Sequence, residues 1–201
     1  MDWNAKTIET YDSSAGELAE YFKTVGARTD DIERAIELYG SANDLHVVEI
    51  GCGDGRDAEE IVPRTTSYIG VDPSAGLLEV ARKRLPDVSF VKADALSYDY
   101  PSDIDIMFAF ASLLHVNKSD MRRALEKAST CLRPGGIYYI ALKESDEYTE
   151  EIKNDKYGER MFYYYSPAII QDLADKWFDV AYENHYHMGP TAWFRIALKK
   201  R

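Results

Sequence analysis

The sequence predicts a doubly wound α/β fold with a mostly parallel sheet, and three observations predict it. Short apolar runs alternate with helical patterns between residues 46 and 142, and strands alternating with helices imply right-handed crossovers and a parallel sheet. One run, Ile104 to Phe110, is apolar almost throughout, as suits a strand buried on both faces. Two final runs, Phe178 to His187 and Ala192 to Lys199, flank a turn at Met188-Gly189-Pro190-Thr191 and read as an antiparallel hairpin completing the sheet.

Helical segments come first. Ile8, Tyr11, Ala15, Leu18, Ala19 and Phe22 recur near an i, i+3/i+4 spacing, so residues 4–23 form one helix or two short ones, with Ser13-Ser14 and Gly16 weakening the middle. Ile32, Ala35, Ile36 and Tyr39 give another apolar face, behind Thr29-Asp30 as caps and ended by Gly40. His46 to Ile50 is the first strand, Asp57 to Val62 a helix stopped near Pro63, and Ser67 to Val71 the second strand. Ser74 caps a helix whose stripe is Leu77, Leu78, Ala81 and Leu85, stopped by Pro86. Val88 to Val91 and Ile104 to Phe110 are the next strands. Asn117 caps a helix with Met121, Leu125, Ala128 and Leu132 on one face, broken by Pro134-Gly135-Gly136, and Ile137 to Leu142 is the fifth strand. Asp146 to Arg160 is charged and weakly patterned and reads as a mobile loop or lid. The aromatic run Met161-Phe162-Tyr163-Tyr164-Tyr165 follows. Ser166-Pro167 then has the composition of an N-cap with proline at the first helical position, ahead of Ile169, Ile170 and Leu173.

A chain of 201 residues supplies one well-buried domain and is short for two. Residues 1–201 are therefore read as a single domain, with 1–43 a helical extension forming part of a substrate cover and 44–201 a ligand-binding core. No apolar run approaches the roughly 20 residues that span a bilayer, and Met1-Asp2-Trp3-Asn4-Ala5-Lys6 lacks the basic start and apolar core of a secretory signal. A cytoplasmic location without membrane attachment is expected. The net charge of -11 repels a phosphate backbone and argues against nucleic acid as a partner. Cys52 and Cys131 are the two cysteines, so neither a disulfide framework nor a zinc cluster is suggested. His185 and His187 share one strand face but lack a third ligand at convincing spacing, so no metal is assigned. Nothing in the sequence sets an oligomeric state.

In a doubly wound sheet the ligand lies beyond the carboxyl ends of the strands, where strand order reverses. That gathers Gly51 to Gly55, Asp72, Asp94 and Phe110 to His115 around one crevice. In Glu49-Ile50-Gly51-Cys52-Gly53-Asp54-Gly55 the glycines alternate, which lets the backbone turn sharply and approach a flat polar ligand closely. A dinucleotide fingerprint would place its third glycine where Arg56 stands.

This loop resembles the first motif of the class I S-adenosylmethionine-dependent methyltransferases. Gly70-Val71-Asp72 resembles the second motif, Val91-Lys92-Ala93-Asp94-Ala95 the third, and Leu132-Arg133-Pro134-Gly135-Gly136 the turn before strand five. The resemblance implies a Rossmann-like, seven-stranded sheet, S-adenosyl-L-methionine as cofactor, S-adenosyl-L-homocysteine as product, and methyl transfer to an oxygen or nitrogen of a small-molecule acceptor. By the same resemblance, Glu49 organises the methionine amino end directly or through water, and Gly51, Cys52, Gly53 and Gly55 lie along the methionine and ribose. Asp72, followed by Pro73, accepts from both ribose hydroxyls. Asp94 meets the adenine amino group, the Ala95 N–H meets a ring nitrogen, and Ala109 and Phe110 frame the methionine end. For Glu49 the alternative is a buried carboxylate satisfied by loop amides. Two other readings of the whole chain stay open: a nucleotide-dependent oxidoreductase, and a cofactor-binding sensor or partner-binding domain without catalysis.

A sulfonium methyl is already activated, so such a protein chiefly binds, orients and excludes water. A general base is needed only for a protonated acceptor. His115 is the first candidate, because imidazole titrates near neutral pH; a histidine that packs or starts the next helix is the other reading. Tyr11, His115, Tyr163, Tyr164 and Trp193 are candidates for an aromatic acceptor pocket, against ordinary core and edge packing. Arg56 has two readings, partner of the cofactor carboxylate or solvated side chain, and Asp57 favours a helix start.

Overall fold

The computed structural model describes residues 2–201 of the chain. Its strands are β1 (His46–Ile50), β2 (Ser67–Asp72), β3 (Ser89–Lys92), β4 (Ile104–Phe110), β5 (Leu132–Lys143), β6 (Thr149–Asp155), β7 (Gly158–Tyr164), β8 (Phe178–Met188) and β9 (Thr191–Lys200). Its helices are α1 (Trp3–Ser13), α2 (Ala15–Val25), α3 (Thr29–Tyr39), α4 (Ala58–Ile61), α5 (Ala75–Arg84), α6 (Lys118–Cys131) and α7 (Pro167–Ala174). Seven strands form one sheet in the order β3-β2-β1-β4-β5-β9-β8. β1 to β5 pair in parallel, and β9 enters antiparallel between β5 and β8. The strand order reverses beside β1, which opens a crevice at the carboxyl ends of β1 and β4.

Strand alternation sends successive side chains to opposite faces, and both faces of the central strands are apolar. Met107 and Ala109 on β4, with Tyr138, Ile140 and Leu142 on β5, pack in one core with Met121, Leu125 and Ala128 of α6 and Ile170 and Leu173 of α7. Ile106, Phe108 and Phe110, with Ile137, Tyr139 and Ala141, pack in the other with Ile32 and Ala35 of α3, Ala58 and Ile61 of α4, and Leu78 and Ala81 of α5. The continuous apolar run of β4 therefore serves two layers of helices. Helix ends follow local chemistry: Ser74, Asn117 and Ser166 accept from the Leu77, Asp120 and Ile169 amides, and Gly40 closes α3 in the left-handed region at φ 89°.

Four expectations differ from the structure. α3 begins at Thr29 with Arg28 in the cap position and no side-chain cap, so Thr29 and Asp30 lie inside the helix. There Asp30 and Asp31 meet the positive end of the helix dipole. The helix expected from Asp57 covers only Ala58–Ile61 and continues as a 3-10 turn, Val62–Arg64. The Pro134-Gly135-Gly136 turn is absorbed into an irregular start of β5, where the pairing with β4 shifts register between Ile104 and Ile106.

The largest correction concerns residues 146–160. Instead of a mobile loop they contribute β6 and the start of β7, an antiparallel hairpin in continuous register from Thr149 with Tyr164 to Asp155 with Gly158. Glu150, Glu151, Lys153 and Asp155 give β6 little intrinsic strand preference, and pairing with β7 supplies the order. The Tyr157 amide donates to Asp155 Oδ1 at the turn, and Gly158 takes φ 119°. The hairpin clasps α1: Thr10 Oγ1 donates to the Glu159 carbonyl at 2.7 Å, Ser14 Oγ to the Tyr157 carbonyl at 2.9 Å, and the Met161 amide to Thr7 Oγ1 at 3.1 Å.

Ile140 lies in the middle of β5 with no exposed surface. Ile140→Ala is expected to lower the unfolding free energy by about 2–5 kcal/mol, read from urea denaturation.

Candidate active site

A cavity of about 410 Å³ occupies the carboxyl ends of β1, β2, β3, β4 and β5, and α1, α2 and the β6/β7 hairpin cover it. Its size falls in the range of small-molecule sites. The loop after β1 forms one wall through Gly51, Cys52, Gly53 and Asp54. Gly51 sits at φ 70°, and a Cβ there would come within 2.0 Å of the Ser112 Cβ, so the β1 and β4 loops meet only because this residue is glycine. Gly55 serves a different contact, since a Cβ there would press on Ala81 and Phe90 at 3.2 and 3.3 Å. It brings the loop against α5 and does not line the cavity.

Asp72, at the end of β2, is buried and lines the cavity. Its Oδ2 accepts from the Gly53 amide at 2.9 Å and its Oδ1 from the Ser74 amide at 2.8 Å. Burial pushes its pKa up to about 6, against the lowering effect of the two amides. A carboxylate has about four acceptor sites, so each oxygen keeps acceptor capacity for hydroxyl donors in the cavity. Pro73 also lines the cavity. At the end of β3, Asp94 accepts from the Leu96 and Ser97 amides through Oδ1. Those bonds outweigh its partial burial and hold its carboxyl below the ordinary range. Ala95 and Phe110 lie on the same walls, whereas Ala109 is fully buried behind them.

Glu49 is not in the cavity wall. It is buried, and Tyr68 Oη donates to its Oε2 at 2.5 Å, so a tyrosine hydroxyl rather than loop amides meets it. Burial and the neighbouring Asp57 carboxylate push its pKa up. Asp57 is the opposite case: Arg28 and Arg56, at 3.1 and 2.7 Å, outweigh its burial and hold its carboxyl down. Arg56 therefore lines the cavity as part of an ion-pair cluster, with its guanidinium 5.7 Å from the Phe22 ring centre.

The far side of the cavity gathers Tyr11, His115, Lys143, Arg160, Phe162 and Trp193. His115 Nδ1 lies 2.6 Å from the Met161 carbonyl, an acceptor only, so Nδ1 carries the proton. Nε2 is then the acceptor for the Tyr11 hydroxyl at 2.8 Å. Burial lowers the His115 pKa to about 3, so the ring is neutral at physiological pH. Tyr163 and Tyr164, expected in the acceptor pocket, do not line it. On β7 the inward positions are Arg160 and Phe162; Tyr163 alternates outward and stacks on Tyr148, and the Tyr164 hydroxyl turns to Glu151 at 2.6 Å. Lys143, Arg28 and Arg160 were not singled out in the sequence, and Phe162 entered only as part of the aromatic run. The position of Lys143 at the end of a parallel strand is the signal that locates it; alternation in the aromatic run separates Phe162 from Tyr163 without saying which of them faces inward. His185 meets Glu144 and Glu183 at an exposed position.

Residues 47–136 match the family model described as a methyltransferase domain. A trans-aconitate 2-methyltransferase of Methylobacterium nodulans is 31% identical over 133 residues, 65% of this chain and 51% of its own length. The chain spans about half the length of the curated relatives it matches. An S-adenosylmethionine-dependent methyltransferase from Methanosarcina mazei superposes with a TM-score of 0.73 at 18% identity, over 82% of this chain and 96% of its own. DhpI, solved as its complex with SAH, gives 0.73 at 18% identity over 98% of this chain and 97% of its own. At that identity the superpositions speak for the fold. The domain match over residues 47–136, which takes in the glycine loop and the acidic strand ends, together with this order of strands, supports a class I S-adenosylmethionine-dependent methyltransferase domain in this chain.

Proposed function

We propose that the protein transfers a methyl group from S-adenosyl-L-methionine to an oxygen or nitrogen of a small-molecule acceptor, in the cytoplasm, with residues 1–43 forming part of the acceptor cover. The observation that carries this reading is Asp72: a buried carboxylate with spare acceptor capacity at the end of β2, beside a glycine loop that leaves room for a ligand. The S-adenosylmethionine dependence of the Methanosarcina mazei protein and the SAH complex of DhpI support the choice of cofactor. For location, no helix among the described residues is long and apolar enough to cross a membrane, and the two free cysteines suit a reducing compartment.

The bound cofactor supplies an activated sulfonium methyl. Asp72 would accept from its ribose hydroxyls, the Asp94–Ala95 segment would hold its adenine, and the Gly51–Gly53 backbone would hold its methionine part. Phe110, Phe162 and Trp193 exclude water from the reacting end. His115 stays neutral and holds the Tyr11 hydroxyl; we assign it to positioning, since abstracting a proton from the acceptor requires Tyr11 to leave Nε2 first.

Titration calorimetry with S-adenosyl-L-methionine and S-adenosyl-L-homocysteine is expected to give saturable binding by both, and silence from both at millimolar concentration would sink the assignment. Asp72→Ala should weaken that affinity about tenfold or more, through loss of charge-assisted bonds.

The affinity of the wild type should also depend on pH in a defined direction. The Asp72 pKa is raised to about 6 and hydroxyl donors need the carboxylate, so binding should be constant above about pH 7 and fall roughly tenfold per unit below 6. Asp72→Asn should bind weakly and lose that slope in calorimetry repeated across the pH range.

A further inference from the structure

Five basic side chains line the cavity: Arg28, Arg56, Lys143, Lys153 and Arg160. Four of them have a carboxylate. Arg28 and Arg56 share Asp57 at 3.1 and 2.7 Å, Lys153 meets Glu151 at 3.3 Å, and Arg160 pairs with Asp155. Lys143 has no ion-pair or hydrogen-bond partner among the described residues. Its ammonium lies 3.7 Å from the Phe162 ring centre and 5.9 Å from those of Tyr164 and Trp193. Aromatic faces hold a cation in place but bring no compensating charge. Burial, with Lys153 and Arg160 nearby, lowers the Lys143 pKa to about 8, which leaves it mostly protonated at neutral pH.

The position of this charge matters as much as its isolation. Lys143 ends β5 and pairs across the sheet with Trp193 of β9. It thus faces the part of the cavity enclosed by Phe162, Tyr11 and His115, while Asp72 and Asp94 stand at the ends of β2 and β3 on the other side of β1. Glu151 and Asp155 act on Lys143 only at longer range; a half-buried cation without a contact ion pair is unfavourable, and an arriving anion relieves that cost through a charge-assisted bond. Phe162 and Trp193 flank the ammonium, so the part of such a ligand next to its carboxylate meets mainly aromatic carbon.

We propose that Lys143 anchors a carboxylate of the methyl acceptor, so that the acceptor is a small organic acid whose hydrocarbon part packs on Phe162 and Trp193. This rests on the methyl-transfer reading, and the experiment separates the two. Succinate, benzoate, their amides succinamide and benzamide, and inorganic phosphate are titrated calorimetrically into the protein, both free and saturated with S-adenosyl-L-homocysteine. The expected result is that at least one acid binds at least tenfold tighter than its amide and tighter than phosphate. Lys143→Met should weaken acid binding about 10- to 100-fold with S-adenosyl-L-homocysteine affinity unchanged, which also shows that the variant folds. Lys143→Arg should restore most of the acid affinity.

Equal affinity for acid and amide, acid affinity untouched in Lys143→Met, or no acid binding to either form overturns the proposal. A preference for phosphate overturns the carboxylate assignment. Failure of S-adenosyl-L-homocysteine to bind strikes the methyl-transfer reading alone, because the acids are also titrated into the free protein.

Discussion

Two backbone amides on one carboxylate hold the centre of this molecule together. Asp72 takes the Gly53 amide from the β1 loop and the Ser74 amide from the start of α5, joining three elements at the crevice. Ser74 extends the chain of contacts: its hydroxyl caps α5 at the Leu77 amide and donates to Asp12 of α1 at 2.7 Å. Asp12 also accepts from the Gly76 amide at 3.0 Å. A substitution at the end of β2 is therefore felt in the glycine loop, in the cap of α5 and in the helix that roofs the cavity. The cost of burying the Asp72 charge is visible in its raised pKa, and it is spread over groups that must be in place before any ligand arrives.

The site divides into two electrostatic regimes. Near β1, Arg28 and Arg56 share Asp57, and Arg84 meets Asp54 at 2.7 Å and Glu59 at 3.0 Å, so the basic groups of the loop are all ion-paired and it mainly offers backbone. Beyond β5, Lys143 stands against aromatic rings without a contact ion pair. His115 contributes no charge there, because burial keeps the ring neutral against the opposing pull of the Met161 carbonyl, which fixes only the tautomer. The polar groups at this end are therefore a lysine ammonium, a tyrosine hydroxyl and a neutral imidazole.

The layered architecture was legible because its cause is local and periodic. β1, β4 and the hairpin at Phe178 to Lys199 appear as apolar or alternating runs within a residue or two of their observed ends. Ser74, Asn117 and Ser166 cap the helices as their hydroxyl or amide chemistry dictates. The β6/β7 hairpin was illegible for a complementary reason: strand order in Thr149–Asp155 arises from pairing and from docking on α1, and neither leaves an apolar period in the sequence. Site residues followed the same division. Asp72, Cys52 and Phe110 were reachable from strand ends, whereas Tyr163 and Phe162 differ only in parity, and parity is set by a register the sequence does not reveal. Glu49 was tied to the methionine amino end by resemblance alone; the partner the structure gives it, Tyr68, lies on the neighbouring strand.

The clasp between α1 and the hairpin is written in hydroxyls on one side and main chain on the other. Thr10 and Ser14 reach carbonyls of Glu159 and Tyr157, and Thr7 receives the Met161 amide. None of these contacts depends on which side chains the hairpin carries. The roof can thus exchange the residues that face the cavity while its attachment to the body stays the same, so that substrate preference and structural integrity are free to evolve on separate atoms of one short strip of chain.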